Sequence, residues 1–212
     1  MDAHDIDTKL IDSAFALIAE RGWFGLSLGE AARNAGFEPA DARARMPDRG
    51  AMLACFGRLA DQAALEGALT EGPVRDRLFD IVMRRIDFLQ AHRAGMLALM
   101  RGLQNDPASA VHLTLALRGS MRRMLDAVGV QTSGLSGHLR VQGMALLWLA
   151  TVRAWTDDHS EDLSHTMAAL DTALTRAGQA ENTLSDLLCH RRTRAAAMEN
   201  APDDTEAAGT VI

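Results

Sequence analysis

The sequence predicts an all-α protein with a small N-terminal helical domain followed by a larger helical bundle. Apolar residues recur at helical spacing in almost every segment, and no segment alternates apolar and polar residues as a half-buried strand does. Apolar residues make up 48% of the 212 residues, which is enough for a sizeable core. No apolar run approaches the roughly 18 residues that a membrane span requires.

Charge and cysteine content narrow the functional classes. The net charge of −6 argues against a surface that is basic throughout. Residues 21–58, however, hold six arginines against four acids. The two cysteines, Cys55 and Cys189, are too few and too far apart for a disulfide framework or a CxxC metal site. The N-terminus lacks a signal-peptide pattern, so we expect a cytoplasmic protein. The histidines are scattered without the spacing of a zinc site, so we expect no metal, and we expect no cofactor.

Capping residues mark the ends of the first two helices. Helix 1 is predicted over about residues 5–20, with Gly22 at the position of a C-terminal cap. Ser27 begins a capping box, in which its hydroxyl caps helix 2 and Glu30 reaches back toward Ser27. Gly36 ends the second helix. The first 36 residues therefore predict two helices joined by a short turn.

The next residues predict a third short helix and a longer fourth one. Pro39 suits the first turn of a helix, and Pro47 ends it. Asp48 then caps a fourth helix over residues 48–66. This is the layout of a helix-turn-helix, which sets its last short helix into the major groove of DNA. The sequence therefore predicts a DNA-binding domain over residues 1–50, which the fourth helix links to the rest.

The remainder predicts a helical domain over residues 51–181 and a terminal segment over residues 182–212. A stretch rich in Gly, Pro and acids, Glu66–Pro73, is the linker candidate. The terminal segment predicts a basic amphipathic helix followed by a disordered acidic tail. The helices predicted after the linker are Val74–Leu89, Met96–Leu103, Ala108–Val128, Leu139–Trp155 and Leu163–Leu174.

Two sets of apolar residues in the larger domain predict a ligand cavity and a dimer interface. Methionine and aromatic side chains suit an adaptable apolar pocket, although plain core packing is the simpler explanation for any one of them. The pocket candidates are Phe79, Met83, Phe88, Met96, Met100, Met121, Met124, Met144 and Trp148. Apolar residues near the end of the domain favour a seam between two subunits. The interface candidates are Leu147, Val152, Trp155, Leu163, Met167, Leu170 and Leu174.

The segment from Ile11 to Phe56 resembles the N-terminal domain of the TetR (tetracycline repressor) family of transcriptional regulators. The resemblance rests on an apolar helix that ends in AERG, residues 19–22, and on the run L-S-L-x-E-A-A, residues 26–32. It continues through Ala-Gly at residues 35–36, a short helix and a Pro. It implies a homodimeric regulator, usually a repressor, which binds a pseudo-palindromic operator and is released by a small apolar effector. It implies DNA contacts at Ser27, Arg33, Glu38, Pro39, Ala40, Arg43, Ala44, Arg45 and Arg49. The sequence has no GxSxG motif, no P-loop and no Cys with a plausible His partner, so we do not expect an enzyme.

The third helix departs from the family pattern. Arg43 stands where the family commonly has a tyrosine, and Arg49 replaces the usual lysine and keeps its charge. Glu38 and Asp41 place two carboxylates at the tip of the recognition helix, where phosphates would repel them. A carboxylate also accepts from the amino group of cytosine, so these two residues are alternatively base readers.

A second resemblance offers an alternative function. The pattern A-W-T-D-D…S-E-D…T…L-D between Ala154 and Asp171 is similar to that of a ubiquinone-biosynthesis accessory protein. Such proteins share the TetR-like fold and bind lipid instead of DNA. This resemblance implies a lipid-binding accessory protein whose helix over residues 182–198 contacts a membrane.

Overall fold

The computed structural model describes residues 3–180. The regular secondary structure in that range is helical, as the sequence predicts. The chain divides into two compact units, Met1–Ala173 and Leu174–Ile212, and residues 174–180 of the second are helical. The predicted basic helix and acidic tail, residues 182–212, lie outside the described residues. The first unit contains α1 (Ala3–Arg21), a 3-10 turn (Trp23–Gly25), α2 (Leu28–Asn34), α3 (Pro39–Arg45), α4 (Arg49–Leu65), α5 (Val74–Ala91), α6 (Arg93–Leu103), α7 (Pro107–Ala127), α8 (Gly134–Asp157) and α9 (residues 164–173). None of the described helices is long and apolar enough to cross a membrane.

The helix caps of the N-terminal region follow the sequence with one exception. The Ser27 hydroxyl accepts from the backbone N–H of Glu30 at 3.3 Å, and the Asp48 carboxylate accepts from that of Ala51 at 2.7 Å. The predicted return bond from Glu30 to Ser27 is wrong. Glu30 instead accepts two 2.8 Å hydrogen bonds from the guanidinium of Arg21. A bidentate pair between two charges is stronger than a carboxylate bond to one backbone N–H, and it holds the pKa of Glu30 below its usual range.

Helix α6 anchors the N-terminal helices through close backbone packing. A Cβ atom at Gly95 would lie 2.5 Å from the carbonyl oxygen of Phe15, and one at Gly102 would overlap the Cβ of Trp23. The indole N–H of Trp23 also donates to the carboxylate of Asp106 at 2.9 Å, where α7 begins. The N-terminal helices are therefore docked on α6 and α7, because only glycine permits this approach.

A buried cluster of charges joins α4, α5 and α7. Asp61 on α4 is 5% exposed and accepts from Arg85 of α5 and from both Ser120 and Arg123 of α7. Arg85 also donates to Ser120 at 2.7 Å, and its guanidinium lies 4.9 Å from the centre of the Trp148 ring. Burial, with a smaller effect of Arg123, lowers the pKa of Arg85 to about 9, which leaves it charged at neutral pH. Two guanidinium groups, the buried one of Arg85 and the half-exposed one of Arg123, therefore share one carboxylate.

The turn between α8 and α9 is fixed by hydrogen bonds. Arg93 donates to the carbonyl oxygens of Trp155 and Asp158 at 3.0 and 2.8 Å, which satisfies the end of α8. The Asp158 carboxylate accepts from Ser160 and Thr166, and these bonds hold its pKa well below the usual range. These polar residues belong to the pattern of the second resemblance. In this structure they end one helix and position the next.

Most of the residues predicted to form the dimer interface are buried within one chain. Such burial leaves these side chains little surface for a partner, and their assignment to the interface stays a prediction. Met167 is half-buried, and Leu174 belongs to the second unit. The buried members in the first unit are Leu147, Val152, Trp155, Leu163 and Leu170.

Candidate nucleic-acid interface

One side of helix α3 packs against the N-terminal region, and the other side is exposed to solvent. Ala42 and the following Met46 are buried, and they attach the helix to the rest of the N-terminal region. Pro39 is half-buried at its first turn, where a missing N–H costs nothing. The exposed residues of the helix are Ala40, Asp41, Arg43, Ala44 and Arg45. The two small alanines leave room for a groove wall to approach the backbone.

Among the arginines of α2, α3 and α4, Arg33 and Arg43 are the two most available to a ligand. Both are exposed, and neither forms an ion pair with any of the described residues. Arg43 lies on α3 and Arg33 on the preceding α2. Ser27 is also exposed, but its hydroxyl already caps α2. The geometry therefore favours the two arginines as phosphate or base contacts.

Arg45 differs from Arg43 because it is paired within the protein. Its guanidinium donates to a carboxylate oxygen of Asp7 on α1 at 3.2 Å. The other oxygen of Asp7 accepts from Arg58 of α4 at 3.3 Å. The charge of Arg45 is thus partly neutralised before any ligand arrives.

Arg49 has an internal role. It donates to the carbonyl oxygens of Phe24 and Leu26 at 3.0 and 3.1 Å, and its guanidinium lies 5.3 Å from the centre of the Trp23 ring. These contacts brace the turn before α2 from the first residue of α4. Because the donors of Arg49 face two carbonyl groups, it acts on the interface by positioning α2.

Two exposed carboxylates flank the arginines of α3. Glu38 precedes the helix and makes no side-chain capping bond, whereas Asp41 lies in the first turn. A negative charge near the N-terminus of a helix is stabilised by the helix dipole, and this effect alone explains acids at both positions. They offset the charges of Arg43 and Arg45, so residues 38–45 carry no net charge.

The predicted pocket residues do not line either of the two open clefts that lie against α1. Five of them are core side chains, and Phe88 packs 5.2 Å from the Phe56 ring and 5.1 Å from His92, beside α1 and α4. The half-buried candidates are Phe79, Met83, Phe88 and Met100, and the buried ones are Met96, Met121, Met124, Met144 and Trp148.

Two open clefts lie elsewhere, against α1. One of about 310 Å³ lies between α1 and α6, beside Phe15 and Gly95. The other, of about 540 Å³, lies between α1 and α2, beside Ser13 and Asn34.

The sequence analysis missed two acidic residues that organise the region. Asp7 and Asp61 each occupy the inner face of an amphipathic helix. Asp7 lies one turn before Leu10 and Ile11, and Asp61 lies between the buried Ala60 and Ala64. A charge at a core position predicts a partner from another helix. The sequence therefore shows an acidic residue on the apolar face of each helix, but it does not show which residue pairs with it.

Comparison with solved structures identifies the fold. A TetR transcriptional regulator from Nitrosomonas europaea aligns with a TM-score of 0.68 at 17% identity, covering 82% of this chain and 99% of that one. TetR-family regulators from a Rhodococcus species and from Streptomyces coelicolor align with TM-scores of 0.59 and 0.58, at 19% and 20% identity. They cover 82% and 96% of this chain and 98% and 93% of their own lengths. No family model and no curated protein matches the sequence. The protein has the fold of TetR-family transcriptional regulators.

Proposed function

We propose that the protein is a DNA-binding transcriptional regulator, acting as a repressor, that binds a pseudo-palindromic operator as a homodimer. The observation that carries this proposal is the exposed face of α3, where Arg43 forms no ion pair with the described residues and lies between Ala40 and Ala44. An arginine at the middle of a short exposed helix suits the edge of guanine or a phosphate. The docked α1 and the braced α2 supply the rigid support that such a reader requires.

The proposed dimer interface is the outer face of α7 and α8. Large apolar side chains are exposed there, and those on α8 are spaced by four, seven and three residues, so they share one face of the helix. Patches of this kind mark interaction surfaces. A twofold dimer through this face would place two copies of α3 in successive major grooves. The residues are Val111, Leu115, Leu135, Leu139, Leu146 and Leu149.

Replacing Leu146 with glutamate is expected to convert the dimer into a monomer, because it puts a charge in the centre of the apolar face. Sedimentation velocity over a concentration series measures the change. Leu69→Glu is the matched control, since Leu69 is also exposed but lies in the linker before α5. A Leu146→Glu protein that sediments like the wild type would exclude this face as the interface.

Replacing Arg43 with alanine is expected to weaken operator binding by about 1–3 kcal/mol without unfolding the protein. The measurement is fluorescence anisotropy with DNA from immediately upstream of the protein's own gene, against a shuffled duplex, at several salt concentrations. Arg101→Ala removes the same charge from the exposed part of α6 and is the control. Equal affinity of the Arg43→Ala and wild-type proteins would rule out α3 as the recognition helix.

We further propose that a small apolar effector releases the DNA by moving α4. Helix α4 begins directly after α3 and carries Asp61, which is bonded to α5 and α7. A ligand that shifts α5 or α7 would therefore also shift α4. The result is a change in the populations of DNA-competent and incompetent dimers.

A lipid-binding accessory role is the second candidate function. It is favoured by the exposed leucines of α8 and by the internal pairing of Arg45 and Arg49, which leaves fewer cations for DNA. Native mass spectrometry of the purified protein, with liposome flotation, separates the two functions. A co-purified isoprenoid lipid with no sequence-dependent DNA binding would favour the accessory role, and a lipid-free protein that selects the upstream duplex would exclude it.

A further inference from the structure

Asp7 on α1 pairs with two arginines from different helices. One carboxylate oxygen accepts from Arg45 at the end of α3, and the other accepts from Arg58 of α4. The Asp7 side chain is 14% exposed, whereas those of Arg45 and Arg58 are 37% and 64% exposed. The neighbouring Cys55 thiol does not compete for the arginines, because burial raises its pKa to about 11 and leaves it neutral. One enclosed carboxylate thus bridges α1, α3 and α4.

We propose that Asp7 competes with DNA phosphate for Arg45, so that the free protein withholds this cation from the duplex. The inference rests on the proposed DNA-binding function and concerns its regulation. A phosphate accepts from a guanidinium in the same manner as a carboxylate does. The Arg45 pair is long and partly exposed, and pairs of this kind are weak. A phosphate beside the end of α3 therefore exchanges with Asp7.

Arg58 makes this exchange possible. When Arg45 moves to a phosphate, Asp7 retains Arg58, so the enclosed carboxylate keeps a partner and avoids the cost of a buried unpaired charge. Without Arg58, Asp7 would hold Arg45 more tightly. Arg58 lies three residues before Asp61 on α4. A movement of α4 that separates Arg58 from Asp7 therefore reduces the DNA affinity through Arg45.

The cost of releasing Arg45 from Asp7 gives the expected size of the effect. Arg33 and Arg43 are exposed without an ion pair among the described residues, whereas Arg21 is bonded to Glu30. Release of Arg45 adds one more cation for each subunit. Because Arg45 also reaches the phosphate in the wild-type complex, removing Asp7 leaves the number of phosphate contacts and the salt slope unchanged. It raises the affinity only by what breaking the exposed pair costs, up to about fivefold for each subunit.

The experiment compares full-length Asp7→Asn and wild-type protein on a random-sequence duplex over a salt series. Asp7→Asn is expected to bind up to about fivefold more tightly for each bound subunit, with an unchanged salt slope, because Arg45 reaches a phosphate in both complexes. Glu20→Gln is the matched control, because it removes one negative charge from an exposed position of the same helix. In an Arg45→Ala background, the Asp7→Asn gain is expected to disappear.

Arg58→Gln provides a second test that leaves Asp7 in place. It is expected to weaken DNA binding in the wild type and to have no further effect in the Asp7→Asn protein. A gain from Asp7→Asn no larger than that from Glu20→Gln, or one that persists in the Arg45→Ala background, would overturn the inference while the proposed function stands. Failure of every variant to bind duplex, even at low salt, would overturn both.

Discussion

Replacing Asp61 with alanine is expected to destabilise the protein by about 3–5 kcal/mol, the cost of breaking a buried ion pair from one side. The variant would leave Arg85, which is 6% exposed, without its carboxylate and beside the like charge of Arg123. It would also remove the acceptor for the Ser120 hydroxyl. Neither effect is offset by the small apolar surface of alanine.

Urea unfolding of the Asp61→Ala protein, followed by circular dichroism, measures this loss as a lower midpoint. Asp80→Ala is the control, because Asp80 is partly exposed, forms an i,i+4 pair with Arg84 and accepts from the backbone N–H of Leu69. We expect its loss to cost about 1 kcal/mol. Similar midpoints for the two variants would mean that the buried cluster contributes no more than a surface pair. The cluster would then be too weak to transmit a movement from α5 and α7 to α4.

Local signals explain why the positions of the helices could be predicted. Asp48 caps α4 as expected, and Gly36 has a positive φ of 80° after α2, where an L side chain would be strained. Proline sets the first turn of α3. These signals act within a few residues, so the sequence contains them in full.

The boundary of α8 shows where local signals end. Apolar periodicity predicted a start at Leu139, whereas the helix begins at Gly134. In its first turn, Leu135 is 82% exposed, so the segment lacks an inward-facing apolar residue at that position. Hydrophobic periodicity reports burial, and a helix that extends into solvent does not produce it.

The roles of the candidate DNA-binding residues depend on tertiary interactions, which a local sequence pattern does not show. Arg43 and Arg45 look equivalent in sequence, yet only Arg45 has Asp7 opposite it, across 38 residues of chain. Arg49 occupies the place of a basic contact but binds the carbonyl groups of Phe24 and Leu26. The sequence could predict where the arginines lie, and the tertiary arrangement decided which of them are free.

Replacing Gly102 with alanine is expected to destabilise the protein by about 1–3 kcal/mol, because the site has no room for a methyl group. The added Cβ would overlap the Cβ of Trp23 and lie 2.9 Å from its Cγ. Trp23 is buried and cannot turn away without breaking its hydrogen bond to Asp106. The strain therefore falls on the contact between α6 and the N-terminal helices.

Gly57→Ala is the matched control for this prediction, since a Cβ at Gly57 in α4 would meet nothing within 4 Å. In a helix interior with free space, the same change is expected to stabilise the protein by about 0.5–1 kcal/mol. Opposite shifts of the urea midpoint would show that Gly102 is required for docking rather than for helix formation. If Gly102→Ala also stabilised the protein, α6 and Trp23 would not approach as closely as described, and the rigid support for α3 would have to come from α4 alone.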